Sequence, residues 1–248
     1  MKRSLSVAPI MTGSLALALL LTSSTSWATA AVATTTTRVC AQGETVAGVD
    51  ISEYQPDPVF TQVEKSGRKF SFVKATEGKN TTNPDFAKHW PDAKAAGMIR
   101  GAYHYFVATD DPTVQASFFL STADQQDADD LPAMLDWETS SGVDPVTTVA
   151  RAKIWLERVE QATGKTPIIY TGPAYWRSLQ VTGGGFDHYP LFIADRGVTC
   201  PDVPLPWKTW TFWQHAVGVT PGIVQASDLD MFNGLMASLE AFVRSTGL

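Results

Sequence analysis

Two carboxylates end an apolar segment in the stretch LPAMLDWETS (131–140), where Asp136 and Glu138 stand two residues apart. A packed core does not accept an unpaired charge, because burying one costs several kcal/mol. Residues i and i+2 of a strand point to the same face, so both acids would lie on one side and Trp137 on the other. Two such acids can donate a proton and stabilise a developing positive charge, which is the chemistry of glycoside hydrolysis.

Further polar and aromatic side chains fall near the ends of other predicted strands. They are Asp50, Glu77, Tyr103, His104, Tyr105, Tyr170, Trp213, Gln214 and Asp228. In a β/α barrel the functional side chains collect at the carboxyl ends of the strands, so these residues would meet at one rim. Crowded acids raise each other's pKa, which supplies a proton donor, and the rings of Tyr105 and Trp213 offer faces for sugar rings.

Less specific interpretations stay open for single members of this set. Any one acid could be a helix cap, a loop charge or an ion-pair partner of Arg100 or Arg196. His104 could equally be a half-buried histidine bonded to a carbonyl group. The prediction of a site therefore depends on several acids at several strand ends.

Eight β-rich runs alternate with helical patterns along the chain. The predicted strands are 45–52, 70–76, 99–106, 131–138, 167–172, 190–195, 210–216 and 228–232, and the clearest helices are 83–97, 111–126 and 144–164. Alternation predicts parallel pairing with right-handed crossovers, and Pro91 predicts a kink or a break in the first helix. Since helical patterns thin out after the fifth strand, we expect an α/β fold, a modified TIM-like barrel with eight strands and about five helices, (β/α)5(β)3.

The amino-terminal residues predict export. Lys2 and Arg3 precede the apolar run 14–21, and small residues at 28–30 offer a cleavage site, so residues 1–30 are typical of a secretory signal peptide; an uncleaved anchor is the alternative. Residues 31–44 would be a flexible, threonine-rich leader and 45–248 the barrel domain. We expect a secreted, extracellular protein with no membrane span after cleavage.

Charge and cysteine content limit the partners. The net charge of −6 becomes −8 without residues 1–30, because Lys2 and Arg3 are lost with no acid. This acidity argues against nucleic acid as a partner. Cys40 and Cys200 predict one disulfide in an exported chain, with two buried thiols as the alternative. Two cysteines and four scattered histidines predict no metal site, and no cofactor is expected; Asn80 begins a glycosylation sequon.

Six ordered segments resemble glycoside hydrolase family 25, the lysozymes of the Chalaropsis type. They are GVDISEYQ, FSFVKATEGKNTTNPDFAKHWPDAKAAGMIRGAYHYF, LPAMLDWE, IIYTG, WTFWQHA and DLDMFNG, and together they span about residues 46–234. The resemblance implies a modified barrel with five helices. It also implies hydrolysis of the β-1,4 bond between N-acetylmuramic acid and N-acetylglucosamine in peptidoglycan.

The resemblance also implies roles for individual residues. Glu138 would be the general acid, and Asp136 would orient or stabilise the 2-acetamido group of the substrate. Asp50 and Asp228 match the other acids of the family, which complete a negative pocket. Matching motif positions would line the same groove: Glu77, Tyr103, His104, Tyr170 and Gln214. The family usually carries an aromatic residue two positions beyond the alanine of the sixth strand, where this chain has Arg196.

We therefore expect a secreted, monomeric muramidase that retains configuration, with the substrate's acetamide as nucleophile. Direct action of Asp50 or Asp228, as nucleophile or base, is the alternative mechanism. A chitinase-like glycosidase is a rival, although its motif would place aspartates at Leu131 and Met134. A non-catalytic glycan-binding barrel is a second rival, although such proteins usually lose the acid that Glu138 supplies.

Overall fold

Eight strands closed into a barrel form the centre of the computed structural model, which describes residues 36–124 and 127–245. The strands in chain order are β1 (Thr36–Arg38), β2 (Val46–Ile51), β3 (Phe70–Glu77), β4 (Thr81–Thr82), β5 (Ile99–Tyr105), β6 (Met134–Asp136), β7 (Ile168–Thr171), β8 (Leu191–Ala194), β9 (Asp202–Pro204), β10 (Phe212–Gly218) and β11 (Ser227–Phe232). The helices are α1 (Phe60–Lys65), α2 (Phe86–Ala95), α3 (Pro112–Thr122), α4 (Pro145–Thr163), α5 (Pro173–Ser178) and α6 (Met236–Ser245).

The barrel runs in the order β2, β3, β5, β6, β7, β8, β10, β11 and closes from β11 back to β2. The predicted eight-stranded α/β barrel is thus confirmed. Neighbours from β2 to β10 are parallel, but β11 is antiparallel to both β10 and β2, which departs from the expected parallel pairing. Only an antiparallel pair can be joined by a short turn, so the helix-free stretch between β10 and β11 dictates this direction.

Helix boundaries follow local capping chemistry. Asp111 accepts hydrogen bonds from Thr113 and Val114, and Asp144 accepts one from Thr147, so both Asp-Pro sequences begin helices as predicted. Helix α2 begins at Phe86 rather than at 83, and it continues through Pro91 without the predicted break. Buried Phe86 and Trp90 stack on each other with ring centroids 5.4 Å apart, which anchors the turn before that proline.

Aromatic rings fill the barrel interior. Phe72 and Phe212 contact each other edge to face at 5.4 Å, and Phe192 lies 5.5–5.6 Å from both. Helix α6, which the sequence did not predict, packs against this interior cluster through Leu239 and Phe242. Polar side chains therefore collect at the carboxyl ends of the parallel strands, where the cluster gives way to a cleft.

The segment before β2 is fastened to the domain. Strand β1 pairs antiparallel with β9, and Cys40 forms a disulfide with Cys200 at a Cα–Cα distance of 4.7 Å. The indole of Trp210 donates to the carbonyl of Val39 at 2.8 Å. The predicted disulfide is confirmed, and Thr36–Arg38, which fall within the predicted leader, form a strand paired with β9. The predicted signal peptide, 1–30, lies outside the described residues.

Within 36–124 and 127–245, no helix combines the length and the apolar character that crossing a membrane requires.

Candidate active site

A cleft of about 470 Å³ opens at the carboxyl ends of the barrel strands. Residues from all eight barrel strands or the loops that follow them contribute to its wall. The sequence-predicted members are Asp50, Glu77, Tyr103, Tyr105, Asp136, Glu138, Tyr170, Gln214 and Asp228. The structure thus brings together nine of the eleven residues that the sequence singled out.

Strand alternation places Asp136 and Glu138 on the cleft side and Trp137 on the helix side. Asp136 is buried, and its Oδ1 has no hydrogen-bond partner in the described part of the chain. Glu138 lies one step further out and is exposed. One carboxyl is therefore withdrawn with a free acceptor oxygen, and the other can be reached from solvent.

A chain of hydrogen bonds orients Asp50. The hydroxyl of Tyr170 donates to Oε1 of Gln214 at 2.9 Å, and Nε2 of Gln214 donates to Oδ2 of Asp50 at 2.7 Å. An ionised carboxylate can only accept hydrogen bonds, so the amide nitrogen of Gln214 faces Asp50 and its carbonyl oxygen is left to accept from the tyrosine. The position of Asp50 is therefore set by side chains from β10 and β7, on the other side of β11.

Strand β11 contributes two acids on one face. Asp228 lies opposite Asp50 in the register and is paired with Arg196 at 2.8 Å. Asp230, two residues on, is 1 % exposed, and burial and the charge of Asp50 raise its pKa well above the ordinary value. Asp230 was not predicted from the sequence, although it has the same spacing from Asp228 as Glu138 has from Asp136.

Burial and mutual repulsion raise the pKa values of these acids. Burial, then the charge of Asp228, raises the pKa of Asp50 to about 7. Burial and the nearby Glu138 raise the pKa of Asp136 well above its ordinary value. Burial also raises the pKa of Glu138, against the opposing charge of Arg196. The cleft therefore holds protons at pH values where ordinary carboxyls are ionised.

A lysine balances part of the negative charge. Lys74 is buried and pairs with Glu77 at 2.8 Å and with Glu53 at 2.9 Å, and its ammonium lies 5.6 Å from the ring centroid of Tyr105. The register of β3 against β5 shifts between Lys74 and Thr76. Because of this bulge, Lys74 and Glu77 both reach the cleft although they are three residues apart.

His104 does not line the cleft, which corrects the prediction. Its neighbours Tyr103 and Tyr105 occupy the cleft face, so alternation turns His104 towards the helices. There its Nδ1 bonds Thr76 at 2.7 Å, and its ring stacks on Trp155 at 5.3 Å. Burial lowers the pKa of His104 to about 4, so this histidine is a neutral core residue.

Trp213 is corrected for the same reason. Gln214 faces the cleft, so the adjacent tryptophan faces outwards, where it is 6 % exposed and packs on Trp210. Its indole donates to the carbonyl of Asp195 at 2.8 Å. The exposed aromatic ring at the cleft is Tyr54, which is 74 % exposed and which the sequence analysis did not single out.

One acidic group outside the cleft has the spacing of cation ligands. It consists of Asp127, Asp129 and Asp130. Lys94 pairs with two of them, and Arg100 bonds Asp130 at 2.9 Å. Protein cations therefore already balance part of the charge of this group.

Comparisons with known proteins bear on this cleft. The model of the family described as glycosyl hydrolases family 25 matches residues 49–223. Lysozyme M1 of Streptomyces globisporus is 32 % identical over 212 residues, which cover 81 % of this chain and 72 % of that protein. The N,O-diacetylmuramidase of a Chalaropsis species is 34 % identical over 187 residues, covering 69 % and 88 %.

A solved structure agrees with the sequence matches. The bacterial lysozyme from Streptomyces coelicolor superposes with a TM-score of 0.77 at 31 % identity, covering 82 % of this chain and 98 % of that one. Agreement over nearly the whole of that chain shows that the barrel described above has the architecture of this lysozyme.

Proposed function

The chain belongs to glycosyl hydrolase family 25, and from this premise we propose that it is a lysozyme, an N-acetylmuramidase that hydrolyses the β-1,4 bond between N-acetylmuramic acid and N-acetylglucosamine in peptidoglycan. The single observation that carries the proposal is the pair Asp136 and Glu138. One acid is exposed with a raised pKa, and the other is buried with an unpaired oxygen, both on one wall of the cleft. A general acid and a group that holds the substrate need these two environments.

In the proposed mechanism, Glu138 gives its proton to the glycosidic oxygen as the bond from the anomeric carbon to that oxygen breaks. The free Oδ1 of Asp136 accepts the N–H of the 2-acetamido group. The acetamide oxygen then forms a bond to the anomeric carbon. Water opens this cyclic intermediate and returns a proton to Glu138, so configuration is retained. Asp136 ends β6 and Glu138 follows it two residues later on the same wall of the cleft, which favours acetamide assistance over two carboxylates on opposite faces of the sugar.

The remaining acids support the developing positive charge. Asp50 and Asp228 stand opposite each other on the closing strands, and the Tyr170–Gln214 chain fixes the first of them. In the competing mechanism one of these two attacks the anomeric carbon or activates water. Product stereochemistry by NMR separates retention from inversion, and a trapped sugar–enzyme ester would identify a carboxylate nucleophile.

End-group analysis of digested peptidoglycan tests the function directly. New reducing ends of N-acetylmuramic acid are expected after incubation with purified enzyme, identified by mass spectrometry after borohydride reduction. Reducing N-acetylglucosamine would contradict the proposal and favour a chitinase-like specificity. In the structure Met134, not a carboxylate, lines the cleft at a position where that rival needs an aspartate. Binding without any new ends would favour the glycan-binding rival.

We further propose secretion and action as a monomer. The pattern of residues 1–30 and the disulfide both suit an oxidising, extracellular location. Expression of the full chain followed by amino-terminal sequencing of protein from the medium tests export, and light scattering of that protein tests the monomer.

A further inference from the structure

A second cleft, of about 500 Å³, adjoins the first, and the two share Glu138, Tyr170 and Arg196. It extends from the shared residues over helix α5, where Arg177 contributes to its wall. The proposed proton donor therefore stands at the junction of two cavities. An arginine stands beside it in contact with both.

The backbone on either side of Arg196 is pinned to β10. The N–H of Asp195 donates to the carbonyl of Gln214 at 3.3 Å, and the N–H of Gly197 donates to that of His215 at 3.0 Å. Gly197 has a φ of +74°, which a glycine adopts without strain. Arg196 is thus presented to the cleft by a fixed turn, and its position is set before any ligand binds.

The guanidinium of Arg196 has donors to spare. Its Nη2 lies 2.8 Å from Oδ1 of Asp228, while its side chain remains 48 % exposed. No hydrogen bond to its Nε or Nη1 is found within 36–124 and 127–245. Arg177 is half-buried, and its side chain forms neither a hydrogen bond nor an ion pair with any residue of those same ranges. Two arginines thus offer uncommitted donors to one cleft.

The acids that also line the second cleft are already engaged. Asp195 accepts the backbone N–H of Asp202 at 2.9 Å, and Asp202 pairs with Arg38 at 3.4 Å. Each of these two carboxylates therefore already has a partner within the protein. The charged hydrogen-bond donors that remain available to a ligand in this cleft are those of Arg196 and Arg177.

We propose that Arg196, assisted by Arg177, binds a carboxylate of the glycan substrate. The planar guanidinium of arginine can form two parallel hydrogen bonds with one carboxylate. The ammonium group of lysine does not match the carboxylate in this way. This inference rests on the proposed function, because peptidoglycan supplies such a group either as the free lactyl carboxylate of muramic acid or as a carboxylate of the stem peptide. The arginine makes the enzyme selective for anionic over neutral chains.

Three soluble tetrasaccharides of alternating N-acetylglucosamine and N-acetylmuramic acid test the inference. One carries free lactyl carboxylates, the second carries lactyl N-methylamides, and the third carries lactyl groups amidated with L-alanyl-D-glutamate. We expect about tenfold higher kcat/KM for an anionic chain than for the neutral one, as a charged hydrogen bond implies. The first and third chains distinguish the lactyl from the peptide carboxylate.

Variants separate recognition from structure. In Arg196→Gln the ratio of anionic to neutral kcat/KM should fall to about one, Arg177→Gln should reduce it in part, and Arg196→Lys should restore part of it. Arg158→Gln removes the same charge from an exposed position on α4 and should leave the ratio unchanged. The wild-type ratio should also fall with added salt. An equal rate on all three chains, or an unchanged ratio in Arg196→Gln, would overturn the inference.

A binding measurement distinguishes this inference from the proposed function. Calorimetric titration of Glu138→Gln with the same three chains reads the preference without turnover. If the wild-type enzyme cleaves none of them while the anionic preference in binding persists, the proposed function fails and the inference stands. Absence of that preference in binding overturns the inference whether or not cleavage occurs.

Discussion

Asp50 and Asp228 face each other across the antiparallel pair β2–β11, whose register places their Cα atoms directly opposite. This is the seam at which the barrel closes, so two acids meet where the first and last barrel strands join. Burial and the charge of Asp228 raise the pKa of Asp50 from 3.8 to about 7. Between pH 3.8 and about 7, Asp50 keeps its proton in the folded state but has lost it in the unfolded state. The free energy of unfolding is therefore higher below pH 4, and this extra stability is lost as the pH rises through 7.

Asp50→Asn should therefore stabilise the fold at high pH. We expect the free energy of unfolding to rise by about 1–3 kcal/mol at pH 8 and to change little at pH 4, because the amide removes the penalty for ionising a buried acid. Urea unfolding at both pH values measures the difference. Asp187→Asn, at an exposed position, is the control. An equal effect at both pH values would show that Asp50 is not the titrating group.

Glu138→Gln should abolish proton donation without unfolding the protein. We expect kcat on peptidoglycan to fall by about 10²–10⁴-fold, the usual contribution of a general acid. An aryl glycoside whose leaving group needs no proton should be cleaved by the variant at close to the wild-type rate. Glu157→Gln, on the exposed face of α4, should behave as wild type. Full activity of Glu138→Gln on peptidoglycan would show that another residue is the general acid.

The alkaline limb of the pH profile should respond to Asp228. In the proposed mechanism the enzyme is active only with Glu138 protonated, so we expect activity to fall as the pH rises through the raised pKa of that group. Asp228 helps to raise this pKa, so Asp228→Asn should move the limb of kcat/KM to lower pH. Arg196→Gln removes a charge that lowers the pKa and should move the limb the other way. If the alkaline limb of kcat/KM stays at the same pH in both variants, a group other than Glu138 controls it.

Tyr54 should act as a platform for a sugar ring. Its side chain is 74 % exposed at the cleft, where a ring face can stack on the apolar face of a sugar. Tyr54→Ala should raise KM by about 2- to 10-fold with little change in kcat, as expected for an aromatic contact. Tyr54→Phe keeps the ring and should keep KM. A fall in kcat with constant KM would indicate a role in the chemical step instead.

The sequence predicts the barrel and its acidic rim well, because both depend on order along the chain. Alternation of strands and helices gives the barrel, and Asp136 and Glu138 reveal their common face by spacing alone. It does not reveal which face each strand turns inwards. On β5 the two tyrosines face the cleft and His104 faces the core. On β10 it is Gln214 that faces the cleft, and Trp213 faces outwards.

Other features depend on contacts between distant segments. The pairing of Thr36–Arg38 with Asp202–Pro204 cannot be seen in a threonine-rich stretch, because its partner strand lies more than 160 residues away. The bulge that brings Lys74 beside Glu77 is likewise a property of two strands in register. The position of Arg196 at the cleft also depends on a distant segment, because hydrogen bonds to β10 fix the turn that carries this arginine.

Removing the disulfide should lower stability substantially. Cys40 and Cys200 are 160 residues apart, and the chain-entropy model gives about 4–5 kcal/mol for a loop of this size. The double variant Cys40→Ser, Cys200→Ser should unfold at a correspondingly lower urea concentration. Wild-type protein measured in reductant should match it. A loss well below this range would indicate that β1 and β9 hold the segment without the covalent bond.

The same covalent bond makes the chain tolerant of a first proteolytic nick. Six of the eight barrel strands lie between the two cysteines, and so does the glycine-rich stretch 183–185, with exposed residues at 184 and 185. A cut there would divide the polypeptide into two pieces, yet neither piece could diffuse away from the other. Pairing of β7 with β8 would then take place within one covalently linked molecule, so a single cut in this stretch would not separate the parts of the barrel.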